Sequence, residues 1–195
     1  MGERSHAKMS PPYRLEMAKK LQAQGVEAKK AGVLSLFYPN QDFETCMALI
    51  LRKSYSGVHS AQVAFPGGRY ELQDEDLMQT ALRETKEEIG VSPRLLSVLK
   101  PMSPLYIPPS NYLVHPFVGL AYSTPQFTKQ ENEVDDIIQV KLLDLLDEAN
   151  AITTKVSTSY NVDVTVPAYQ LNGHIVWGAT AMIMSELKDL LNEIL

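Results

Sequence analysis

The segment Arg83–Val91 constrains this chain most, because it places three glutamates and an arginine within about two helical turns, before a glycine that can end the helix. Glu84, Glu87 and Glu88 occupy positions i, i+3 and i+4, so their side chains share one helix face. A second stripe lies on another side of the same helix: Met78, Leu82, Thr85 and Ile89. The segment therefore predicts a helix with one packed face and one acidic face.

The acidic face predicts a metal site. Carboxylates at this spacing repel each other by about 0.2–0.5 kcal/mol per pair on a helix surface, so a functional cluster needs a compensating charge. Mg²⁺ and Mn²⁺ prefer hard oxygen ligands, usually carboxylates together with water and substrate phosphates. We predict that Glu84, Glu87 and Glu88 bind Mg²⁺ or Mn²⁺, and that Arg83, one turn before Glu87, orients that carboxylate. The alternative is a merely solvated helix face, which is the usual reading of an isolated glutamate pair.

A glycine turn precedes this helix. Phe65-Pro66-Gly67-Gly68 follows a short predicted strand, and its glycines let the backbone approach a ligand without an intervening Cβ atom. We therefore predict that Gly67 and Gly68 contact the substrate. A strand, a glycine turn and an acidic helix together indicate a site for pyrophosphate and metal.

These residues resemble the signature of the Nudix hydrolase superfamily. That signature reads glycine, five residues, glutamate, seven residues, then Arg-Glu-hydrophobic-any-Glu-Glu-any-Gly-hydrophobic. Glu75 stands seven residues before Arg83, as the signature requires. Two positions depart from it: Arg69 occupies the glycine slot, with Gly68 one position early, and Thr85 occupies the hydrophobic slot.

The stretch from Arg52 to Gly68 is similar to an upstream signature of the coenzyme A pyrophosphatase subgroup, which ends Gly-Gln-Val-Ala-Phe-Pro-Gly-Gly. Gly57 stands where that subgroup has arginine, and Ala61 stands where it has glycine. The resemblance implies that Arg52 contacts the substrate and that Arg83 and Glu87 belong to the catalytic machinery.

A second acidic cluster, residues 130–136, lies after the predicted helix. Such a loop is often only solvated. Nudix enzymes often place a catalytic base or a further metal ligand at this point of the chain, and the resemblance assigns Glu133 as the base, with Asp136 as the second choice.

A proline-rich stretch supplies a candidate substrate wall. Leu105–Asn111 is too rich in proline for a regular strand interior and is predicted to be a loop. Its Tyr106–Asn111 part is the predicted wall, in which Tyr106 and Ser110 contact the substrate. His115 lies nearby in an apolar run, where a structural histidine is the commoner case.

The remaining patterns predict an α/β fold. Ala31–Tyr38 and Thr45–Arg52 are expected to form one hairpin, and Asn172-Gly173 is expected to close another. Asp74 or Asp76 is expected to cap the acidic helix. A terminal helix carries core-facing positions at helical spacing: Ile183, Leu187, Leu190, Leu191 and Ile194. The fold predicted here and implied by the resemblance is a Nudix-type α/β/α sandwich with a mixed β-sheet.

Length and charge bound the remaining choices. The 195 residues suit one domain, residues 30–195, after an N-terminal extension, residues 1–29, that contains a predicted helix over Tyr13–Gln24. A net charge of −5 disfavours a nucleic-acid polymer as partner. Cys46 is the only cysteine, so no intrachain disulfide forms.

No leader or membrane span is apparent, which makes the cytoplasm the expected compartment. The sequence also allows a homodimer.

The resemblance implies a metal-dependent hydrolase whose partner is a small nucleotide. Its expected substrate is coenzyme A or an acyl derivative, cut to 3′,5′-ADP and the 4′-phosphopantetheine product. Two alternatives stay open at this point. One is hydrolysis of ADP-ribose or another nucleotide sugar, and the other is a Nudix module that senses nucleotides without catalysis.

Overall fold

The computed structural model of the protein describes residues 2–14, 17–18, 20, 27–53, 62–157 and 163–194. The helices are α1 (Gly2–Lys8), α2 (Leu77–Ile89), α3 (Leu142–Leu146) and α4 (Gly178–Asn192). The strands are β1 (Lys29–Pro39), β2 (Thr45–Arg52), β3 (Val63–Ala64), β4 (Gly67–Arg69), β5 (Leu96–Pro101), β6 (Leu105–Ile107), β7 (Tyr112–Ala121), β8 (Val134–Lys141), β9 (Ala151–Val156), β10 (Val164–Leu171) and β11 (His174–Trp177).

A mixed eight-stranded sheet forms the centre of the molecule. Its main order is β3-β2-β1-β7-β5, with β4 beside β1, β6 beside β7 and β8 beside β2. β1 pairs in parallel with β7, whereas its pairings with β2 and β4 are antiparallel. A three-stranded sheet, β11-β10-β9, is separate from it. Both predicted hairpins are confirmed, since Leu36 faces Ala48 across the first and Leu171 faces His174 across the second.

Two hydrophobic cores lie on opposite faces of the large sheet. β1 supplies both, because its alternate residues point in opposite directions. On one face Leu34, Leu36 and Tyr38 pack with Ala81, Leu82 and Ile89 of α2. On the other face Ala31 and Phe37 belong to a core that includes α4 and the smaller sheet. The predicted sandwich of helix, mixed sheet and helix is therefore confirmed.

Helix α2 has the boundaries that its sequence predicts. Asp76 is the N-cap, and its side chain accepts a hydrogen bond from the amide of Gln79. Gly90 ends the helix in the left-handed conformation, with φ of 77°. The predicted packing face is confirmed for Leu82, Thr85 and Ile89, which are buried.

The N-terminal segment packs against the terminal helix. His6 Nε2 lies 2.9 Å from Glu186 Oε2 in a buried pair, and Lys8 Nζ lies 2.7 Å from Asp189 Oδ1 at the surface. Most of the helix predicted over Tyr13–Gln24 falls outside the described residues, as do Gly57 and Ala61. In the described part of the chain, no helix is long and apolar enough to cross a bilayer.

The loop predicted from the prolines of the stretch that ends at Asn111 is wrong in its first part. The stretch before Pro108 is not a loop throughout, because β6 pairs with β7 through Leu105–Val114 and Ile107–Tyr112. The prolines follow the strand and form a 3₁₀ turn, Pro108–Ser110, instead of interrupting the strand.

Candidate active site

The glycine turn contacts two acids of helix α2. The amide of Gly67 donates a 2.8 Å hydrogen bond to Oε2 of Glu88. Gly67 has φ of 150°, which residues with a side chain rarely adopt. At Gly68 an added Cβ atom would lie 2.6 Å from Oε2 of Glu84 and closer still to its carboxyl carbon. One glycine therefore binds Glu88, and the other makes room for the carboxylate of Glu84.

Glu88 is a buried acid with incomplete charge compensation. It is 1% exposed. Burial raises its pKa to about 8; the Gly67 amide and Arg52 oppose this rise, whereas Glu84 and Glu133 add to it. Arg52 Nη1 lies 3.5 Å from Oε1 of Glu88, which is long for a hydrogen bond. A cation at this point would stabilise the ionised carboxylate.

Arg83 links the acids of the helix to a residue upstream. Its Nε and Nη2 donate to the two carboxylate oxygens of Asp74 at 2.8 and 3.0 Å. Its Nη1 donates to Glu84 at 2.9 Å and to Glu87 at 3.1 Å. The structure thus places Arg83 beside Glu87 as expected, and adds a bidentate partner that the sequence suggested only as a helix cap. This contact lowers the pKa of Asp74 to about 2.

The Asp74 contact predicts a pH-dependent stability difference. The pKa of Asp74 is lower in the folded protein than in the unfolded chain, so its contribution is present above pH 3.8 and is lost as pH falls towards 2. Asp74→Asn should cost about 2 kcal/mol at pH 7, because it removes a charged hydrogen-bond partner of Arg83. Thermal unfolding should show a wild-type advantage that is largest above pH 4 and shrinks towards pH 2. An advantage that stays constant across this range would contradict the assignment.

A loop after β7 brings Glu133 to the same acids. The amides of Thr128 and Gln130 donate to the carbonyls of Ile89 and Glu88 at 3.0 and 2.9 Å, which ties this loop to the end of α2. Glu133 lines the cavity described below and raises the pKa values of both Glu84 and Glu88. Asp136, the second candidate for the base, instead accepts from the amide of Ile137 on an exposed part of β8.

A cavity of about 450 Å³ opens beside these residues. At one side it is lined by polar residues of the glycine turn, α2 and the acidic loop. Elsewhere its walls come from the N-terminal segment, the Ile107–Tyr112 stretch and the start of α4. The lining as a whole includes these apolar side chains: Val63, Phe65, Ile107, Val114, Met182 and Ile183. The volume falls in the range of small-molecule sites.

Most of the predicted site residues line this cavity, whether they were predicted to bind substrate or metal or to act as the base. They are Arg52, Gly67, Gly68, Glu84, Ser110 and Glu133. Glu88 lies behind Gly67, and the side chain of Glu87 is 55% exposed beside Arg83. Tyr106 is not among the described residues of the lining, because strand alternation puts Ile107 there, and its hydroxyl donates to Asn111. Its contact with the substrate stays a prediction. His115 is also absent from that lining.

The donor set fits a divalent cation. Glu84, Glu88 and Glu133 are hard oxygen donors that lie close together: Glu133 raises the pKa of both Glu84 and Glu88, and Glu84 adds to the rise at the deeply buried Glu88. Among the described residues, no three acidic, histidine or cysteine side chains are already gathered as a metal site. Arginines hold several of these carboxylates instead, so an ion would replace part of the contacts made by Arg52 and Arg83.

Known proteins resemble this chain in sequence and in fold. The NUDIX domain family model matches residues 28–159. The chain is 33% identical over 129 residues to the human mitochondrial coenzyme A diphosphatase NUDT8, a match covering 66% of this chain and 55% of that protein. It is 31% identical over 156 residues to the Nudix hydrolase NudL of Yersinia enterocolitica, covering 76% and 75% of the two chains. The Nudix hydrolase RenU of M. smegmatis superposes with a TM-score of 0.59 at 15% identity, covering 87% of this chain and 89% of that one.

Proposed function

The chain belongs to the Nudix family, and from that premise we propose that it hydrolyses the phosphoanhydride bond of coenzyme A or an acyl-coenzyme A. The products would be 3′,5′-ADP and the corresponding 4′-phosphopantetheine. One observation carries this proposal: three acids lie close together beside a cavity that is otherwise largely apolar. They are Glu84, Glu133 and Glu88, and Glu88 is buried with a raised pKa. Such a cavity suits a substrate with a charged pyrophosphate and a less polar arm.

Glu84, Glu87 and Glu88 are the proposed ligands of Mg²⁺ or Mn²⁺. A bound ion would neutralise charge on the pyrophosphate and lower the pKa of a water molecule. Gly67 orients Glu88 through its amide, and Arg83 holds Glu84 and Glu87 through Nη1. Arg52, Gly67 and Gly68 line the cavity, where Arg52 can donate to the phosphate oxygens and the glycines leave room for them.

Glu133 is the proposed general base. It takes a proton from the attacking water, whose oxygen then bonds to phosphorus. The bond between that phosphorus and the bridging oxygen breaks, and the leaving phosphate keeps the electron pair. No covalent intermediate with the protein is required, so no side chain need act as nucleophile.

The choice of coenzyme A is supported by the name of the human relative and by the resemblance of residues 52–68 to the coenzyme A pyrophosphatase signature. The chain spans about half the length of the human relative, 55% of that protein. ADP-ribose, another nucleoside diphosphate with a non-nucleotide arm, is the comparator that separates the two substrate classes.

The test is a comparison of initial rates on coenzyme A, an acyl-coenzyme A and ADP-ribose, each with Mg²⁺ and with Mn²⁺. We expect the coenzyme A compounds to have the higher kcat/KM, and mass spectrometry to identify 3′,5′-ADP among the products. Faster hydrolysis of ADP-ribose would overturn the substrate assignment while keeping the hydrolase. A rise in Tm with a compound that is never consumed would indicate a sensing module instead.

A further inference from the structure

Arg14 brings a cation to the cavity wall. It lies in the N-terminal segment, outside the region matched by the family model, and lines the cavity with Pro11 and Tyr13. Its Nη2 donates a 2.6 Å hydrogen bond to the carbonyl oxygen of Tyr106. No carboxylate of the described residues lies within ion-pair distance of its guanidinium, and burial lowers its pKa. Most of its five N–H donors therefore have no partner in the described part of the chain and can bind a ligand.

Ser110 contributes an unpaired hydroxyl to the same wall. It follows Tyr106 by four residues, in the turn after β6, and lines the cavity. Its Oγ atom is buried and has no hydrogen-bond partner among the described residues. Buried polar atoms without a partner are rare in folded proteins and cost stability, so such an atom in a cavity wall indicates a ligand contact.

These two donors lie well away from the acidic cluster. Glu84 packs against β4, whereas Arg14 and Ser110 adjoin β6, and the strand order across this part of the sheet is β4-β1-β7-β6. Three strand spacings correspond to about 14 Å. A single pyrophosphate held by the acidic cluster does not extend that far, so the donors face another part of a longer ligand.

We propose that Arg14 and Ser110 form a second anion-binding subsite, which takes an oxyanion that the substrate carries outside its pyrophosphate. The inference rests on the proposed function, since it assumes that an extended nucleotide fills the cavity. A guanidinium with free donors and a hydroxyl suit either a phosphate or a carboxylate. In a coenzyme A compound the oxyanion is either the 3′-phosphate of the ribose or a terminal carboxylate on the acyl group.

Four compounds separate these sources: coenzyme A, 3′-dephospho-coenzyme A, butyryl-coenzyme A and succinyl-coenzyme A. Dissociation constants are measured by calorimetry in EDTA, where no turnover is expected, and kcat/KM is measured with metal. Arg14→Gln should weaken binding of every compound that carries the recognised oxyanion by about tenfold or more, and leave the others within twofold of wild type. Ser110→Ala should have the same selectivity with a smaller loss, roughly threefold.

Two controls accompany these variants. Arg14→Lys keeps the charge, so it should recover much of the affinity that Arg14→Gln loses for compounds that carry the recognised oxyanion. Arg94→Gln removes an exposed arginine that does not belong to the cavity lining and should bind all four compounds as wild type does. Thermal unfolding of each variant identifies any general loss of the fold.

The outcomes decide the proposal in either direction. A selective loss for the three 3′-phosphorylated compounds supports the subsite and identifies the ribose phosphate, and a selective loss for succinyl-coenzyme A alone identifies the carboxylate. Equal losses for all four, no loss for any, or no binding to wild type would overturn the subsite. If wild type binds the compounds but cleaves none of them with metal present, the proposed function fails while the binding comparison still decides the role of Arg14.

Discussion

Replacing Glu88 with glutamine is expected to lower kcat by at least about 100-fold, because it removes a metal-binding carboxylate at nearly constant shape. The fold should survive. Glu88 is 1% exposed, and its burial already disfavours the charged form, so a neutral amide of the same size does not add to the cost of burial. The Gly67 amide retains an acceptor in the glutamine side chain.

Steady-state hydrolysis of coenzyme A and thermal unfolding of Glu88→Gln provide the two readouts. Glu131→Gln is the matched control, because Glu131 is an exposed acid of the neighbouring loop whose ion pair among the described residues is with Lys129 at 3.5 Å. The control should keep its kcat. Wild-type turnover in Glu88→Gln would remove this residue from the catalytic site.

Gly68→Ala is expected to reduce kcat by about 100-fold with little change in stability. The new methyl group would overlap the carboxylate of Glu84, which is the end of a flexible side chain and can move aside at low cost. That movement displaces a proposed metal ligand, and misplacement of a reacting group by about 1 Å can cost a hundredfold in rate. Activity and Tm measured on the same preparation separate the two effects.

Gly173→Ala is the control for Gly68→Ala, because it should lower stability and leave activity unchanged. Gly173 has φ of 79° in the β10–β11 turn, and among the described residues other than its chain neighbours no atom lies within 4 Å of an added Cβ. Alanine there should lower Tm through backbone strain and leave kcat unchanged. If Gly68→Ala behaves like Gly173→Ala, the close approach of Gly68 to Glu84 has no catalytic importance.

Local sequence patterns were sufficient for the parts of the structure that depend on neighbours in the chain. The cap at Asp76, the left-handed end at Gly90 and the buried stripe of α2 all follow from helix geometry. The turn at Asn172-Gly173 follows from the positive φ values that these residues tolerate. The ends of the acidic helix are therefore predictable from its sequence to within a residue or two.

Contacts between distant segments could not be predicted in this way. The sequence put Glu84, Glu87 and Glu88 on one face, but only the packing of the glycine turn makes Glu88 buried and leaves Glu87 largely exposed. The bidentate contact of Asp74 with Arg83 spans nine residues and a loop. Arg14 reaches the cavity through tertiary packing alone, and no local pattern marks it.

The central claim is that the acids of α2 hold a divalent cation on which catalysis depends. Titration of metal-free wild type and Glu88→Gln with Mn²⁺, followed by electron paramagnetic resonance of the free ion, tests it most directly. We expect wild type to remove Mn²⁺ from solution as hydrolysis activity appears, and Glu88→Gln to bind the ion at least about tenfold more weakly. Equal Mn²⁺ binding by the two proteins, or full wild-type activity in EDTA, would contradict the claim.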